Sequence, residues 1–347
     1  MRGRSHRLLA ALALAVLLAG LAACGGGSSD AAEGSLDTSK LVVYSGRNEN
    51  LVGPLLERFE KETGIQTSVR YGNTAQLAAQ LLEEGDRAAA DVYFSQDAGA
   101  LGALDKAGAL EELSGDLLNR VDAKYRSADN KWVGVSARAR VIVYDSRKLS
   151  ADQVPDSVHA LTDPRWKGKI GVAPSNASFE SFVTAMRVLE GDDRARQWLE
   201  GMRDNDVQLY DNNVNVLDAV ESGRLELGLI NHYYWYEEVA EKGASAVHTK
   251  LKFLPNGDPG ALVNVAGVGV LSGTDHASEA RTFVDFLLSA EAQRYFAAQT
   301  KEYPLIKGVP TTEGLPALAR LQGPQIDLSD LDTLEQTLTM IEEVGLT

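Results

Sequence analysis

The chain has 347 residues, of which 44% are hydrophobic and 24% charged, an ordinary globular composition that is long enough for about two domains. Its formal net charge of −15 disfavours nucleic-acid binding, because an acidic surface repels the phosphate backbone. The single cysteine, Cys24, excludes an intrachain disulfide framework and any metal site built from several cysteines.

The first residues have the pattern of a bacterial export signal. Residues 1–7 are basic, and residues 8–21 consist of Leu, Ala and Val with one Gly, followed by a Leu-Ala-Ala-Cys sequence that resembles a lipoprotein box. The apolar run is shorter than the ~18 residues that mark a membrane-spanning helix, so it fits a cleaved signal. We predict a lipoprotein signal peptide over residues 1–23, lipidation of Cys24 and a flexible tether over residues 24–40. The alternative, a buried cysteine beside an ordinary cleavage site, does not explain why the only cysteine stands there.

From Leu41 onward, short apolar runs alternate with helical patterns, which indicates βα units around a mostly parallel sheet. The first series of predicted elements consists of strands at 41–44, 66–70 and 91–94 and helices at 51–63, 74–84 and 98–106. The second series consists of strands at 138–144, 169–172, 207–210 and 227–230 and helices that begin at Ser178, Asp193 and Val214. The last predicted elements are a strand at 261–271 and helices at 279–288, 290–300 and 329–344.

The predicted fold class is α/β, with two lobes, a hinge and a ligand cleft between the lobes. The strands of such open sheets end at a shared cleft where ligands bind, so the loops that follow strands are the candidate site. We assign residues 41–138 plus 264–310 to lobe 1, and residues 139–263 plus 311–347 to lobe 2.

The segment NHYYWY, which follows the strand predicted at 227–230, contains four aromatic side chains and a histidine. The phenol of Tyr has a pKa of ~10 and is protonated at neutral pH. Its oxygen therefore becomes a good metal ligand only when a highly charged cation such as ferric ion displaces the proton. Adjacent side chains do not share a face of a regular element, so Tyr233 and Tyr234 can serve one ligand only in a turn or a first helical turn. The alternative is that these aromatic rings pack a lobe or stack on an organic ligand.

Several long segments carry a family resemblance, namely LVVYSGRNENLVGPLLERFEKETGI, VRYGNTAQLAAQLLEEG, ADVYFSQDAGALGALDKAG, SARARVIVYDSRKL and LGLINHYYWY. In the same order, they are similar to segments of the bacterial ferric-ion-binding proteins, the solute-binding components of iron ABC transporters in the periplasmic-binding-protein class. The resemblance implies a two-lobed periplasmic-binding-protein fold in which Tyr233 and Tyr234 donate phenolates to Fe(III) from the second lobe. It also implies a protein that is not an enzyme and that delivers iron to the permease and ATPase complex of an ABC transporter.

Two ligands of that family do not carry over to this sequence. Many members have His where this chain has Asn48, and Glu where it has Gln96. Both replacements are neutral and therefore poor ligands for Fe(III), although they remain candidate cleft contacts. The adjacent carboxylates Glu49 and Asp97 are possible substitutes, and turn formation or helix capping is the alternative role of Asn48 and Gln96.

Charge counting predicts an exogenous anion beside the metal. Two tyrosinates leave Fe(III) with a net charge of +1, which carbonate, phosphate or citrate would offset. Ser175, Asn176 and Ala177 precede a predicted helix, whose free backbone N–H groups favour an anion. They also match the family's loop that holds phosphate or carbonate beside the metal. Plain N-capping of the helix is the alternative.

Further polar residues are candidates for a supporting role. Arg138 and Arg140 lie where the chain crosses between the lobes, where they are either bidentate anion contacts or solvated charges at a strand edge. Asn213 and Asn231 match family positions that hydrogen-bond the anion or a tyrosinate, although turn formation alone would explain them. His232 does not match a ligand position, so we predict that it is a surface or packing residue.

The predicted function is therefore capture of ferric iron with an anion by a monomer that a lipid on Cys24 holds to the cell membrane, in the periplasmic space or on the outer face. The alternative is a binding protein of the same fold for another small anion or organic solute, and the neutral Asn48 and Gln96 are its best support. An extracellular enzyme is disfavoured, because the sequence shows no Ser/His/Asp set, His-rich metal site or close carboxylate pair.

Overall fold

One long strand, Trp132–Asp145, connects the two halves of the sheet in the computed structural model, which describes residues 36–347. Its first half pairs with Val263–Val270, and its second half pairs with Leu227–Asn231 and Thr249–Lys252, antiparallel in each case. Every residue of this strand is buried. The strand therefore belongs to both halves of the fold and holds them together.

The strands of the described residues are β1 (Leu41–Ser45), β2 (Thr67–Tyr71), β3 (Val92–Ser95), β4 (Trp132–Asp145), β5 (Ile170–Val172), β6 (Gln208–Leu209), β7 (Leu227–Asn231), β8 (Thr249–Lys252), β9 (Val263–Val270) and β10 (Tyr303–Pro304). The helices are α1 (Glu49–Thr63), α2 (Thr74–Glu84), α3 (Ala98–Lys106), α4 (Gly115–Leu118), α5 (Ala177–Glu190), α6 (Asp192–Asp204), α7 (Asn213–Glu221), α8 (His232–Lys242), α9 (Ala277–Leu287), α10 (Ala290–Ala298) and α11 (Leu334–Val344). No helix within residues 36–347 is both long and apolar enough to cross a bilayer.

The sheet has the strand order β2-β1-β3-β9-β4-β7-β5-β6, with β8 and β10 also paired to β4. β1 is parallel to β2 and β3, and β5 is parallel to β6 and β7. Between these parallel groups, β9 and β4 run antiparallel to their neighbours. The parallel groups are the predicted βα units, and the α/β fold class is confirmed.

Side-chain alternation along β4 separates two hydrophobic cores in the second half of the sheet. Ile142 packs in one cluster with Phe182 and Trp198, whereas Val141 packs in another cluster with Val216. Successive side chains of a strand point to opposite faces, so helices cover both faces of the sheet. The first half of the sheet has its own core.

β4 is longer than its predicted range because its first half lacks a clear β pattern. The prediction began at Arg138, but the strand begins at Trp132, and the pairing register shifts between Gly134 and Ser136. A β-carbon at Gly134 would lie 2.6 Å from the carbonyl oxygen of Tyr125. The glycine that obscures the strand in the sequence is therefore required by close packing.

Two short strands and the start of the last helix also differ from the prediction. The strands β8 and β10 were not predicted, because TKLK carries two lysines and YP ends in a proline. The last helix begins at Leu334 rather than at residue 329, because the preceding residues form the 3-10 turn Leu328–Asp332.

The C-terminal segment contacts both halves of the fold. Its 3-10 turn lies on α3, where the carbonyl oxygens of Leu331 and Ser329 occupy the space that β-carbons at Gly99 and Gly102 would need. α11 then packs against α5 and α6. The boundary that assigns this whole segment to lobe 2, like the other lobe boundaries, stays a prediction.

The predicted signal peptide over residues 1–23 and the predicted lipidation site Cys24 lie outside the described residues. The last part of the predicted tether, residues 36–40, is held against the fold. The backbone amide of Asp37 donates a hydrogen bond to the hydroxyl of Ser68 on β2 at 3.0 Å. The predicted tether is therefore too long at its C-terminal end.

The start of α3 meets the first turns of α5 across the two halves of the fold. Asp97 caps α3, because its Oδ1 accepts a hydrogen bond from the Gly99 amide at 2.7 Å. Its Oδ2 accepts from Asn264 Nδ2 at 2.5 Å and from the Ser181 hydroxyl.

Glu180 on α5 is 8% exposed, and its carboxylate has no hydrogen-bond or ionic partner within the described residues. Burial and the nearby Asp97 raise the pKa of Glu180 to about 7.

Glu180→Gln should stabilise the ligand-free protein at about pH 8 and change its stability little at about pH 5. The pKa of Glu180 in the folded state lies above its ordinary value of 4.5, so folding favours the protonated carboxyl. The protonated carboxyl adds to the free energy of unfolding at pH values below its ordinary pKa. This contribution is lost as the pH rises through the pKa of the folded state. Glutamine stays neutral at both pH values. At about pH 8 the variant therefore keeps on the order of 2 kcal/mol of the free energy of unfolding that the parent loses.

Urea unfolding at both pH values measures this difference. The matched control is Glu57→Gln, on the exposed face of α1, which should shift the urea midpoint by the same small amount at both pH values. A Glu180→Gln variant that is no more stable than the parent at the higher pH would contradict the prediction.

Candidate metal centre

Loops that follow strands in both halves of the sheet line one cleft of about 830 Å³. The lining residues of the first half are residues 46–51, residues 71–74 and Gln96. The lining residues of the second half are residues 175–177 together with Tyr233, Tyr234 and Glu237 of α8. The strands thus end at a shared cleft, as expected for an open α/β sheet.

Tyr233 and Tyr234 lie in the first turn of α8, directly after β7. This is one of the two backbone geometries that allow adjacent side chains to serve a single ligand. The ring centroids are 4.2 Å apart, with an interplanar angle of 35°. Tyr233 is 4% exposed and Tyr234 is half-buried, so both phenols belong to the wall of the cleft.

The Tyr233 phenol keeps its proton in the absence of a ligand. Burial, the neighbouring Tyr234 and the carboxylate of Glu302 raise its pKa well above the ordinary value of 10, whereas Arg138 acts in the opposite direction. A cation has to displace this proton before the oxygen can bind as a phenolate, and a hard, highly charged cation does so best.

Arg47, in the loop after β1, forms a buried two-pronged ion pair with Glu302. Nη1 lies 3.1 Å from Oε1 and Nη2 lies 2.6 Å from Oε2. Glu302 also accepts hydrogen bonds from the hydroxyls of Ser136 and Thr300. This network fixes Arg47 on the cleft wall, where its Nε has no hydrogen-bond partner among the described residues. Its positive charge interacts with both phenols.

Arg138 and Arg140 of β4 are buried, with 3% and 2% exposure. The interpretation of these residues as solvated strand-edge charges is therefore wrong. Arg138 donates a hydrogen bond to the carbonyl of Gln96 and lies 3.8 Å from Asp97 Oδ2. Its Nη1 has no hydrogen-bond partner within residues 36–347.

Arg140 has no carboxylate partner in the described part of the chain. Its Nη1 donates to Ser178 Oγ at 2.9 Å and to Asn213 Oδ1 at 3.2 Å, and its Nη2 donates to the carbonyl of Leu229 at 3.0 Å. Burial lowers the pKa of Arg140 to about 9, and the two phenols oppose this shift. A buried positive charge that lacks a counterion favours the binding of an anion.

The N-terminus of α5 lies beside Arg140 and is organised by Asn176. Asn176 Oδ1 accepts hydrogen bonds from the Ser178 amide at 3.1 Å, the Ser178 hydroxyl at 2.7 Å and Asn213 Nδ2 at 3.0 Å. The backbone amides on either side of Asn176 have no hydrogen-bond partner in residues 36–347. The loop is therefore capped and still offers free N–H groups to an anion, beside the buried positive charge of Arg140.

Asn48 and Gln96 both line the cleft without adding charge. Asn48 is exposed and caps α1, because its Oδ1 accepts from the Asn50 amide at 2.9 Å. Gln96 is half-buried, and its side chain makes no hydrogen bond within the described residues. Of the two adjacent carboxylates, Glu49 lines the cleft and is exposed, whereas Asp97 lies outside the lining and is engaged by its own partners.

His232 packs in the interior. The amide of Ala139 donates to His232 Nδ1 at 3.1 Å, and His232 Nε2 lies 3.0 Å from the carbonyl of Lys301. Because Nδ1 accepts a hydrogen bond, Nε2 carries the proton and donates it to that carbonyl. Burial lowers the pKa of His232 to about 4, so the ring is neutral.

Asn231, the residue before His232, is 3% exposed. The Nδ2 atom of Asn231 has no hydrogen-bond partner in the described residues.

Arg47, Glu302 and Glu237 are residues of the site that were not predicted from the sequence. Arg47 and Glu302 are 255 residues apart, and no local pattern links them. Glu237 follows Tyr233 by four residues, a spacing that places both on one helix face and could have indicated it. Burial and the nearby Glu302 raise the pKa of Glu237 to about 7, while nearby basic groups oppose the shift.

The arrangement offers different groups to a cation and to an anion. No set of three or more His, Cys, Asp and Glu side chains within residues 36–347 is placed to hold a metal ion. A cation in this cleft would instead meet the phenol oxygens of Tyr233 and Tyr234. An anion would meet the amides at the start of α5, and the buried charge of Arg140, which donates to Ser178 on that helix, would attract it.

Known proteins resemble this chain over most of its length. Residues 88–327 match the family of bacterial extracellular solute-binding proteins. The major ferric iron-binding protein of Neisseria meningitidis serogroup B is 37% identical over 308 residues, which cover 88% of this chain and 93% of that protein.

Solved structures share the fold. Iron-bound HitA from Pseudomonas aeruginosa has a TM-score of 0.82 and 36% identity, covering 88% of this chain and 99% of that chain. A Trichodesmium protein in complex with iron and citrate has a TM-score of 0.77 and 28% identity, covering 89% of this chain and 100% of that chain. The predictions of a periplasmic-binding-protein fold and of a solute-binding protein rather than an enzyme are confirmed. This chain belongs to the family of bacterial extracellular solute-binding proteins.

Proposed function

We propose that the protein captures ferric iron in the cleft and delivers it to the permease and ATPase complex of an ABC transporter. The observation that carries the proposal is the pair of phenols at Tyr233 and Tyr234, presented by the first turn of α8 to a cleft beside buried arginines. Relatives that are named for ferric iron or solved with iron support this choice of cation.

The two phenols favour a trivalent cation over a divalent one. Both protons have to leave before the oxygens can bind as phenolates, and the raised pKa of Tyr233 makes that loss unfavourable. A cation of higher charge compensates more strongly for the lost protons. The buried arginines stabilise the phenolates once they form, since Arg140 and Arg47 both interact with the two phenols.

We propose that carbonate, phosphate or citrate binds together with the metal. Two phenolates leave ferric ion with one uncompensated charge, and the neutral Asn48 and Gln96 remove none of it. The support for an anion is the buried guanidinium of Arg140, which lacks a carboxylate partner within residues 36–347, beside the free amides at the start of α5. The Trichodesmium relative, solved with both iron and citrate, is in line with this pairing.

As a member of an extracellular solute-binding family, the protein acts outside the cytoplasm. We propose further that a lipid on Cys24 holds it to the cell membrane. The support is the basic and apolar N-terminal sequence that ends in Leu-Ala-Ala-Cys with the only cysteine of the chain.

Tyr233→Phe and Tyr234→Phe should each weaken Fe(III) binding by at least tenfold, about 1.4 kcal/mol. Each change removes one ligand oxygen and keeps the ring volume, so packing should survive. The visible charge-transfer band of the iron complex should shift or disappear. Competition with citrate and absorbance spectra measure both effects.

Tyr236→Phe is the matched control for these variants. Tyr236 lies on the same helix, but its hydroxyl donates to the carbonyl of Gly314 at 2.9 Å and does not line the cleft. This variant should bind iron with the parent's affinity and colour. If both cleft variants bind iron as the parent does, Tyr233 and Tyr234 are packing residues and the proposed function is wrong.

Arg140→Gln should make iron affinity less dependent on the anion. In the parent, saturating carbonate, phosphate or citrate should tighten iron binding by at least tenfold, about 1.4 kcal/mol. The variant should lose most of this gain, because it lacks the buried positive charge of Arg140 that attracts the anion. Iron titrations at several anion concentrations measure the dependence.

Arg187→Gln is the matched control for the anion experiment. Arg187 is also a buried arginine, but it pairs with Asp192 at 2.9 Å and lies in the last turn of α5 rather than beside its first turn. It should keep the parent's anion dependence. Tight iron binding by the parent that is indifferent to every anion would overturn the anion proposal.

Cys24→Ala should leave an unprocessed precursor and abolish incorporation of labelled palmitate. Without the thiol, the lipid has no attachment point and the signal is not removed at that position. Ser28→Ala, in the same segment, is the control and should be labelled like the parent. Unchanged labelling of Cys24→Ala would refute the lipid anchor.

A further inference from the structure

Glu237 places a carboxylate in the cleft wall together with the two tyrosines. It lies three residues after Tyr234 and four residues after Tyr233 on α8, so its side chain is a surface neighbour of each tyrosine on the helix. All three line the same cleft. Helix geometry therefore directs this carboxylate toward the space that the phenols share.

The carboxylate of Glu237 is half-buried and has no hydrogen-bond or ionic partner within residues 36–347. Two carboxylates near it are engaged. Glu238, the next residue, pairs with Lys242 at 2.8 Å, and Glu302 pairs with Arg47 at 2.6 Å. A partly buried carboxylate without a partner is unfavourable unless a cation binds beside it.

The cleft also lacks the charge that a ferric site requires. The two phenolates supply two negative charges, and neither Asn48 nor Gln96 supplies a third. The carboxylates in the lining are Glu49, which is exposed to solvent, and Glu237, which is half-buried beside the tyrosines. A half-buried carboxylate interacts more strongly with a bound cation than an exposed one, because solvent screens it less.

We infer that Glu237 is a ligand of the ferric ion, an inference that rests on the proposed function. Its carboxylate oxygen joins the phenolate oxygens of Tyr233 and Tyr234, so one helix supplies three anionic ligands. These three charges balance those of Fe(III), and the anion then balances the buried guanidinium of Arg140. Glu237 thereby replaces, from the second half of the fold, the carboxylate that the first half lacks at Gln96.

The test compares Glu237→Gln with the parent in buffer poor in carbonate, phosphate and citrate. Glutamine keeps the size of the side chain and removes its charge, so Fe(III) affinity should fall at least tenfold. The visible band should persist, because both phenolates remain, and should move to longer wavelength, because iron with one fewer anionic donor accepts an electron more readily. Glu237→Asp, which keeps the charge, should restore part of the affinity.

Glu241→Gln is the matched control, since Glu241 is exposed on the same helix and does not line the cleft. It should keep the affinity and the band of the parent. Circular dichroism and urea midpoints verify that each variant is folded before iron is added.

The outcomes separate this inference from the function on which it rests. If the parent binds iron with a visible band and Glu237→Gln does so with equal affinity and the same band maximum, the inference is overturned and the proposed function stands. If the parent itself shows no visible band with iron, the proposed function fails, and the inference fails with it.

Discussion

The burial of three guanidinium groups beside two phenols determines what this cleft can bind. Arg47, Arg138 and Arg140 are each no more than 3% exposed. Glu302 compensates the first through a two-pronged ion pair, and Asp97 lies near the second. Among residues 36–347, the third has only neutral hydrogen-bond partners, so the cleft favours additional negative charge. Phenolates and a small anion supply that charge, and a trivalent cation joins them, whereas a cation of lower charge compensates less for the phenol protons.

The fold maintains this arrangement because the same strand runs through both halves of the sheet. β4 carries Arg138 and Arg140, and the N-terminal ends of α1, α5 and α8 lie at the cleft. A helix N-terminus carries a partial positive charge and free N–H groups, so these ends add to the attraction for negative ligands. Groups that are far apart in sequence therefore act on one ligand.

The sequence predicts those parts of the fold and site whose causes are local. The bounds of α2 are predicted correctly because Asn73 caps its first turn and Gly85 ends it. The tyrosine pair stands out because one short segment after an apolar strand is rich in aromatic side chains. The first half of β4 is missed because Gly134 serves a close packing contact that only the folded chain reveals. The ion pair of Arg47 with Glu302 joins residues 255 positions apart, and no local pattern encodes it.

The central claim is that ferric iron binds to two adjacent phenolates in this cleft. Anomalous X-ray diffraction at the iron absorption edge, from crystals grown with ferric iron and carbonate, tests it most directly. The account predicts an anomalous peak in the cleft, bonded to the phenol oxygens of Tyr233 and Tyr234, with the anion between the metal and the start of α5. An iron peak at any other position, with both phenol oxygens unligated, would contradict it.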